Sequence, residues 1–200
     1  MFYKNTVEPA TLELLEQLSC SKELIRKGFA LTEGTSLALQ IGHRISVDLD
    51  FFTLEEFSLE DVLPAFSEKH EVTLSQNNAL SLFISGIKVD FLRHHYPILN
   101  DLISKDDFLL YNVTDIAAMK LNAIVNRGAK KDFYLLEKYS PNELMSFYQR
   151  KYGLATDMLF IKSALFFEDA EDDPDPIVLD SSTNWEKVKI GVQEKFKSLL

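Results

Sequence analysis

The stretch Leu31-Thr-Glu-Gly-Thr-Ser-Leu-Ala-Leu-Gln-Ile-Gly-His-Arg-Ile-Ser-Val-Asp-Leu-Asp-Phe-Phe52 reads as three elements in succession. Phe29 to Glu33 is a short apolar strand, Gly34 interrupts it in a tight turn, and Ser36 to Ile41 resumes with helix-forming residues. Arg44 to Thr53 then alternates, which puts Val47, Leu49 and Phe51 on one face of a second strand and Asp48, Asp50 and Phe52 on the other. Two carboxylates are thereby aimed from one side of a sheet.

Upstream, Thr11 to Lys27 carries Leu12, Leu15, Leu18, Leu24 and Ile25 at helical spacing, which predicts one or two helices broken around Ser19 to Ser21. Downstream, Ser58 and Asp61 resemble a capping pair at the start of a helix to about His70. Glu71 to Ser75, Ala79 to Ser85 and Ile87 to Arg93 read as three strands of an antiparallel meander, separated by Asn77-Asn78 and Gly86. After Asn112 the pattern turns helical. Thr114 is placed to cap a helix from Asp115 to about Arg127, with Ala117, Leu121, Ile124 and Val125 as its buried stripe. Further helices are expected over Lys130–Lys138, Asn142–Tyr152, Ala155–Phe167 and Asn184–Leu199, with the acidic Asp/Pro segment Glu168–Pro176 as an exposed linker. The fold class is α+β, with a core over residues 1–112 that has a helical lead-in, and a helical C-terminal region over residues 113–200 packed on it.

Two hundred residues with 46% hydrophobic and 26% charged content suffice for an ordinary buried core, so a chain disordered as a whole is excluded. The single Cys20 has no intrachain partner and no metal-ligand spacing. Met1 to Ala10 lacks the apolar run of a signal peptide, and Met158 to Phe167, broken by Lys162, is far short of the roughly 20 residues that span a bilayer. A cytoplasmic protein with no membrane partner is expected. The net charge of −10 argues against binding nucleic acid over the whole surface, although six of the acids fall in Glu168–Pro176 and local basic patches remain compatible.

Asp48 and Asp50, two apart on a half-buried strand, repel each other unless a cation offsets the repulsion and the cost of desolvation. An Asp-x-Asp alone is more often a solvated surface pair. Asp90, in the apolar run Lys88-Val-Asp-Phe-Leu92, adds a third carboxylate on a strand of the same sheet, although an acid facing solvent at a sheet edge has the same local pattern. Three such acids suit Mg²⁺ or Mn²⁺, which binds through a few carboxylates together with substrate phosphates.

With Gly-Thr, Gly-His-Arg, Ser and Asp-Leu-Asp-Phe-Phe in this order and spacing, the stretch from Leu31 to Phe52 resembles the signature GGT-x-LAL-x-x-GHR-x-S-x-DLDFF of the AbiEii/AbiGii-type nucleotidyltransferase toxins. The likeness continues at Asp115–Ile124 and Arg127–Tyr134, and so covers roughly residues 28 to 140. It implies a polymerase-beta-like nucleotidyltransferase core with a mixed or antiparallel sheet. The implied activity is transfer of a nucleotide from an NTP to an acceptor, a tRNA, another RNA or a protein, by the toxin half of a type IV toxin–antitoxin or abortive-infection system with a cognate antitoxin. Asp48, Asp50 and Asp90 become the catalytic, metal-binding acids. Gly34 and Thr35 would form the turn that holds the triphosphate, with Arg44, Ser46, Lys120, Arg127, Lys131 and Asp132 completing the nucleotide site. For Lys120, no acidic helix partner stands at Ile116 or Ile124, which favours phosphate; Lys120 and Arg127, seven apart, would share a helix face.

Two positions depart from the family pattern. Glu33 stands where the first glycine is usual, and Leu135 where KDFYDL would have a second aspartate. His43 reads better as a turn or packing residue than as a chemical group, and His94 and His95 have no metal spacing. An antibiotic-modifying nucleotidyltransferase with the same acids, or a degenerate nucleotide-binding domain motivated by Glu33 and Leu135, are the alternative readings.

Overall fold

Seven strands, β1 (Ala30–Thr32), β2 (Leu49–Thr53), β3 (His70–Gln76), β4 (Ala79–Ile84), β5 (Ile87–Arg93), β6 (Ile103–Lys105) and β7 (Phe108–Leu110), form one mixed sheet in the order β3-β4-β5-β2-β1-β7-β6. The computed structural model describes residues 2–153, 157–197 and 199. Pairing is antiparallel for β3–β4, β4–β5, β1–β2 and β6–β7, and parallel for β2–β5 and β1–β7. The chain divides into two units, Met1–His95 with Asp101–Asn112, and Tyr96–Asn100 with Val113–Leu200.

In the first unit the sheet sorts its side chains by period two. Leu49, Phe51, Val89, Phe91, Leu80 and Leu82 enter one buried cluster with Leu14, Leu15 and Leu18 of α1 (Pro9–Ser19) and Leu24 of α2 (Lys22–Arg26). Phe51 and Phe91, opposite each other in the parallel register, stack at 5.5 Å. The break between α1 and α2 falls where expected, and Ser21 caps α2 by accepting the Leu24 N–H at 3.4 Å. Between β1 and β2 runs α3 (Glu33–Ile41), which ends at Gly42 with φ 64°; a side chain there would run into the Tyr3 ring.

Two expectations for this unit are corrected, and one element was not expected. The strand expected from Arg44 begins at Leu49, because Ser46 instead bridges to Val7 and donates its N–H to Thr6 at 2.9 Å; Val47, expected on the buried face, is exposed. The helix expected to His70 is the single turn α4 (Leu59–Val62), which tightens into a 3₁₀ turn at Leu63–Ala65 around Pro64, a residue with no N–H to continue the α-helical ladder. The hairpin β6–β7 had no counterpart in the expectations. Its signal is Asp106-Asp107, whose φ values of 51° and 65° are those of a two-residue hairpin turn.

The second unit is helical: α5 (Val113–Arg127), α6 (Lys130–Phe133), α7 (Pro141–Tyr152), α8 (Asp157–Ala164) and α9 (Trp185–Lys197). Its core gathers Ile116, Leu121, Phe133, Leu144, Val188 and Phe196, with Phe133, Phe167 and Trp185 in mutual ring contact at 5.2 to 5.7 Å. Thr114 lies inside the first turn of α5 instead of capping it. The helix expected over Lys130–Lys138 divides into α6 and a 3₁₀ turn at Leu136–Lys138. Of the helix expected over Ala155–Phe167, α8 covers Asp157–Ala164, Leu165 to Phe167 lie past its end, and Ala155 lies outside the described residues. The acidic segment is not a free linker. Asp175 pairs with Lys130 Nζ at 3.0 Å, Asp173 accepts the Lys130 N–H at 3.2 Å, and Glu171 accepts from Lys189 at 2.7 Å and from the Trp185 indole at 3.1 Å. Spacing along the chain could not show these partners, which come from helices on either side of the segment.

Candidate active site

The register of the sheet places the acids. Asp50 lies opposite Asp90 across the parallel β2–β5 pair and opposite Thr32 across β1–β2, while Asp48 precedes β2 by one residue. Strands in register stand about 4.8 Å apart and turn matched residues to the same face. Asp50 and Asp90 therefore project together, opposite the Leu49, Phe51, Val89 and Phe91 core face, and both are half-buried.

A fourth charged group, absent from the expected site residues, sits beside Asp90. Lys88, two residues before Asp90 on β5 and so on its face, brings its ammonium to 2.5 Å from Asp90 Oδ2. Burial acts to lower the Lys88 pKa, but the hydrogen bond with Asp90 and the charges of Asp90, Asp50 and Asp48 outweigh it and hold the ammonium above its ordinary value. All three acids thus act on one cation. Asp90 Oδ1 is buried and accepts no hydrogen bond. Among the described residues, no group of three or more His, Cys, Asp or Glu side chains is drawn together as a ready-made metal cage. The i, i+2 spacing of Lys88 and Asp90, the same spacing that singled out Asp48 and Asp50, is the signal that could have found Lys88.

The first turn of α3 borders this face through Thr32, and its motif residues are used internally. The Thr35 hydroxyl donates to the Asp48 carbonyl and lies 2.9 Å from Ser46 Oγ, which ties the helix to the backbone of the first acid. Arg44 is buried, donates from Nη1 to the Ile45 carbonyl at 2.7 Å, and packs its guanidinium against Gly34 so closely that a Cβ at position 34 would overlap Nη2. The turn expected at Gly34 is already helix, since α3 starts at Glu33. Glu33 has φ 55°, a left-handed value that costs a residue with a side chain about 1 to 2 kcal/mol. The glycine usual in the pattern removes that cost. Glu33→Gly is expected to raise stability by about 1 kcal/mol even after the added chain entropy of glycine, and Glu33→Ala to give no such gain, as read in thermal melts of the two variants.

The residues in the second unit behave differently. Lys120, which has no acidic partner on its own helix, is buried and pairs with Asp132 at 3.0 Å; Asp132 also accepts the Ala129 N–H at 3.2 Å. Spacing along α5 alone could not show this, because the partner comes from α6. Arg127 and Lys131 are exposed, so Lys120 and Arg127 do not share an environment despite their spacing. Lys120→Ala strands a buried carboxylate; a loss of about 2 to 3 kcal/mol in denaturant unfolding is expected. Leu135 is buried in the core of this unit, so apolar packing occupies the position of the missing acid.

The model of the nucleotidyl transferase AbiEii toxin family of type IV toxin–antitoxin systems matches residues 14–144. The chain belongs to the AbiEii family. It is a nucleotidyltransferase enzyme of the toxin–antitoxin class, whose type implies a nucleotide substrate and a cognate antitoxin. The uncharacterized protein aq_aa25 of Aquifex aeolicus (strain VF5) is 33% identical over 185 residues, 86% of this chain and 88% of that protein. Among solved structures, JHP933 from Helicobacter pylori has a TM-score of 0.58 at 16% identity, covering 96% of this chain and 93% of that one. MenT4, the nucleotidyltransferase toxin Rv2826c of Mycobacterium tuberculosis H37Rv, has 0.56 at 16%, covering 92% and 82%. At such identities these two likenesses speak for the fold of this AbiEii chain. Among the described residues, no helix is long and apolar enough to cross a membrane.

Proposed function

We propose that this AbiEii chain transfers a nucleotide from an NTP to an RNA acceptor, with Asp48, Asp50 and Asp90 holding a divalent cation. The observation that carries the reading is the facing pair Asp50 and Asp90 in the parallel β2–β5 register, with Asp48 two residues before Asp50. The residues fit such an ion. Their donors are all carboxylate oxygens, which suit Mg²⁺ or Mn²⁺, and Asp90 Oδ1 is a buried acceptor without a donor. When bound, the cation lowers the charge of the triphosphate and favours the attacking oxygen and the leaving pyrophosphate.

The protein's own part is placement. Gly34 keeps the first turn of α3 free of a side chain beside Arg44, which leaves its backbone N–H groups as donors for the triphosphate. Arg44, Ser46 and Thr35 brace that turn and the backbone at Asp48. In the second unit, Arg127 and Lys131 are exposed cations on a segment held by the Lys120–Asp132 pair. In the reaction the acceptor hydroxyl forms a bond to the α-phosphorus, the bond to the β-phosphate oxygen breaks, and the hydroxyl proton passes to solvent or to a site carboxylate. The test is incubation with each labelled NTP, Mg²⁺ or Mn²⁺, and either total RNA or total protein. Label on RNA, lost when chelator is added, is the expected result. Label on protein alone would reassign the acceptor, and transfer undiminished by chelator would remove the metal.

A further inference from the structure

Lys88 is placed where the cation of the site would compete with it. We propose that the Lys88 ammonium is a tethered counter-cation, which neutralises and positions Asp90 while the site is free of divalent metal and must leave Asp90 before a metal ion binds. The proposal rests on the reading of Asp48, Asp50 and Asp90 as metal ligands.

Three observations support it. The ammonium sits 2.5 Å from Asp90 Oδ2, within the charge of all three acids. It satisfies only one of the Asp90 oxygens and leaves buried Oδ1 without a donor. Finally, the Lys88 side chain is 43% exposed, against 15% for Asp90, so it can swing into solvent on its flexible stem while the carboxylate stays in the sheet. An ammonium and a divalent ion on the same carboxylate would repel strongly in a half-buried site. Metal binding without nucleotide is therefore weak. A triphosphate arriving with the metal gives the displaced ammonium an anionic partner, so that metal and NTP bind cooperatively through Lys88.

The test is Mn²⁺ binding to the full chain without nucleotide, by calorimetry and by the loss of the free-ion resonance signal, for the parent, Lys88→Met, Lys88→Gln, Lys88→Arg and Asp50→Asn. Removing the positive charge should tighten Mn²⁺ binding about tenfold or more in Lys88→Met, and likewise in Lys88→Gln, which keeps a hydrogen bond to Asp90 and guards against a folding failure in the first. Lys88→Arg should bind as weakly as the parent. Metal-free Lys88→Met should melt below the parent and gain more than the parent on Mn²⁺ addition. Equal affinity in the parent and both neutral variants, with Asp50→Asn still weakening it, would overturn the counter-cation and leave the metal site standing. Saturable binding in none of the proteins, or binding indifferent to Asp50→Asn, would overturn both.

Discussion

Asp50→Asn is expected to reduce nucleotide transfer by about a thousandfold or more while leaving the stability of the metal-free protein nearly unchanged. Asp50 faces Asp90 in the parallel register and stands two residues after Asp48, so it is the central acid of the three. Its carboxylate would hold the cation that stabilises charge building on the phosphates, a contribution of several kcal/mol, and each 1.36 kcal/mol is about tenfold in rate. Without metal two effects oppose each other. Loss of one acid relieves repulsion from Asp48 and Asp90, but removes part of the attraction that holds Lys88 charged. The net change in a thermal melt should be within about 0.5 kcal/mol, since asparagine keeps the shape of the side chain. Transfer of labelled nucleotide and growth on induced expression are the readouts. A mutant that keeps full transfer would remove Asp50 from the chemistry.

The second large effect is one of stability. Asp115, in the first turn of α5, and Lys151, near the end of α7, form a salt bridge at 2.7 Å with both side chains fully inaccessible to solvent. Asp115 also accepts the N–H groups of Leu99 at 2.9 Å and Asn100 at 3.1 Å, while Lys151 donates to the Pro97 carbonyl at 2.9 Å. This pair is the internal fastening of the segment Tyr96–Asn100 within the helical unit. Burial pushes the Lys151 pKa below its ordinary value, and the hydrogen bond and charge of Asp115 offset this only in part. Asp115→Ala leaves an uncompensated buried ammonium and two backbone donors without acceptors, which should cost about 3 to 5 kcal/mol. Against a total stability of about 5 to 15 kcal/mol, that brings the unit close to unfolding. The double variant Asp115→Leu/Lys151→Met, which removes both charges and keeps the volume, should recover most of the loss. Denaturant unfolding of the two single variants and the double forms the cycle that measures it. A single variant as stable as the parent would show that the pair is hydrated in solution.

Local chemistry determined much of this protein. Alternation in Leu49–Phe52 and Val89–Leu92 settles which side chains are buried, so the face carrying Asp50 and Asp90 was legible from the residues alone. Gly42, the break at Ser19 to Ser21 and the helical periodicity after Asn112 are equally local, since each depends on backbone preferences within a few residues. The run from Leu31 to Phe52 carried the family likeness because Gly34, Arg44 and Ser46 are packed against one another, and Thr35 ties them to the Asp48 carbonyl, inside a short span.

Tertiary structure alone decided what depends on partners distant in the chain. Period two cannot say which strands are neighbours; the insertion of β2 between β5 and β1 brings Asp50 to Asp90 and turns a pattern into a site. Nor could spacing reveal that Lys120 is paired with Asp132, that Lys130 and Lys189 tie down the acidic segment, or that Asp115 meets Lys151 in the dry core of the helical unit. A charged side chain looks the same in sequence whether it faces water or a buried partner. Burial separates the two cases, because a charge removed from water requires an opposite charge or a hydrogen-bond partner, and the packing of whole elements determines which side chains can supply one.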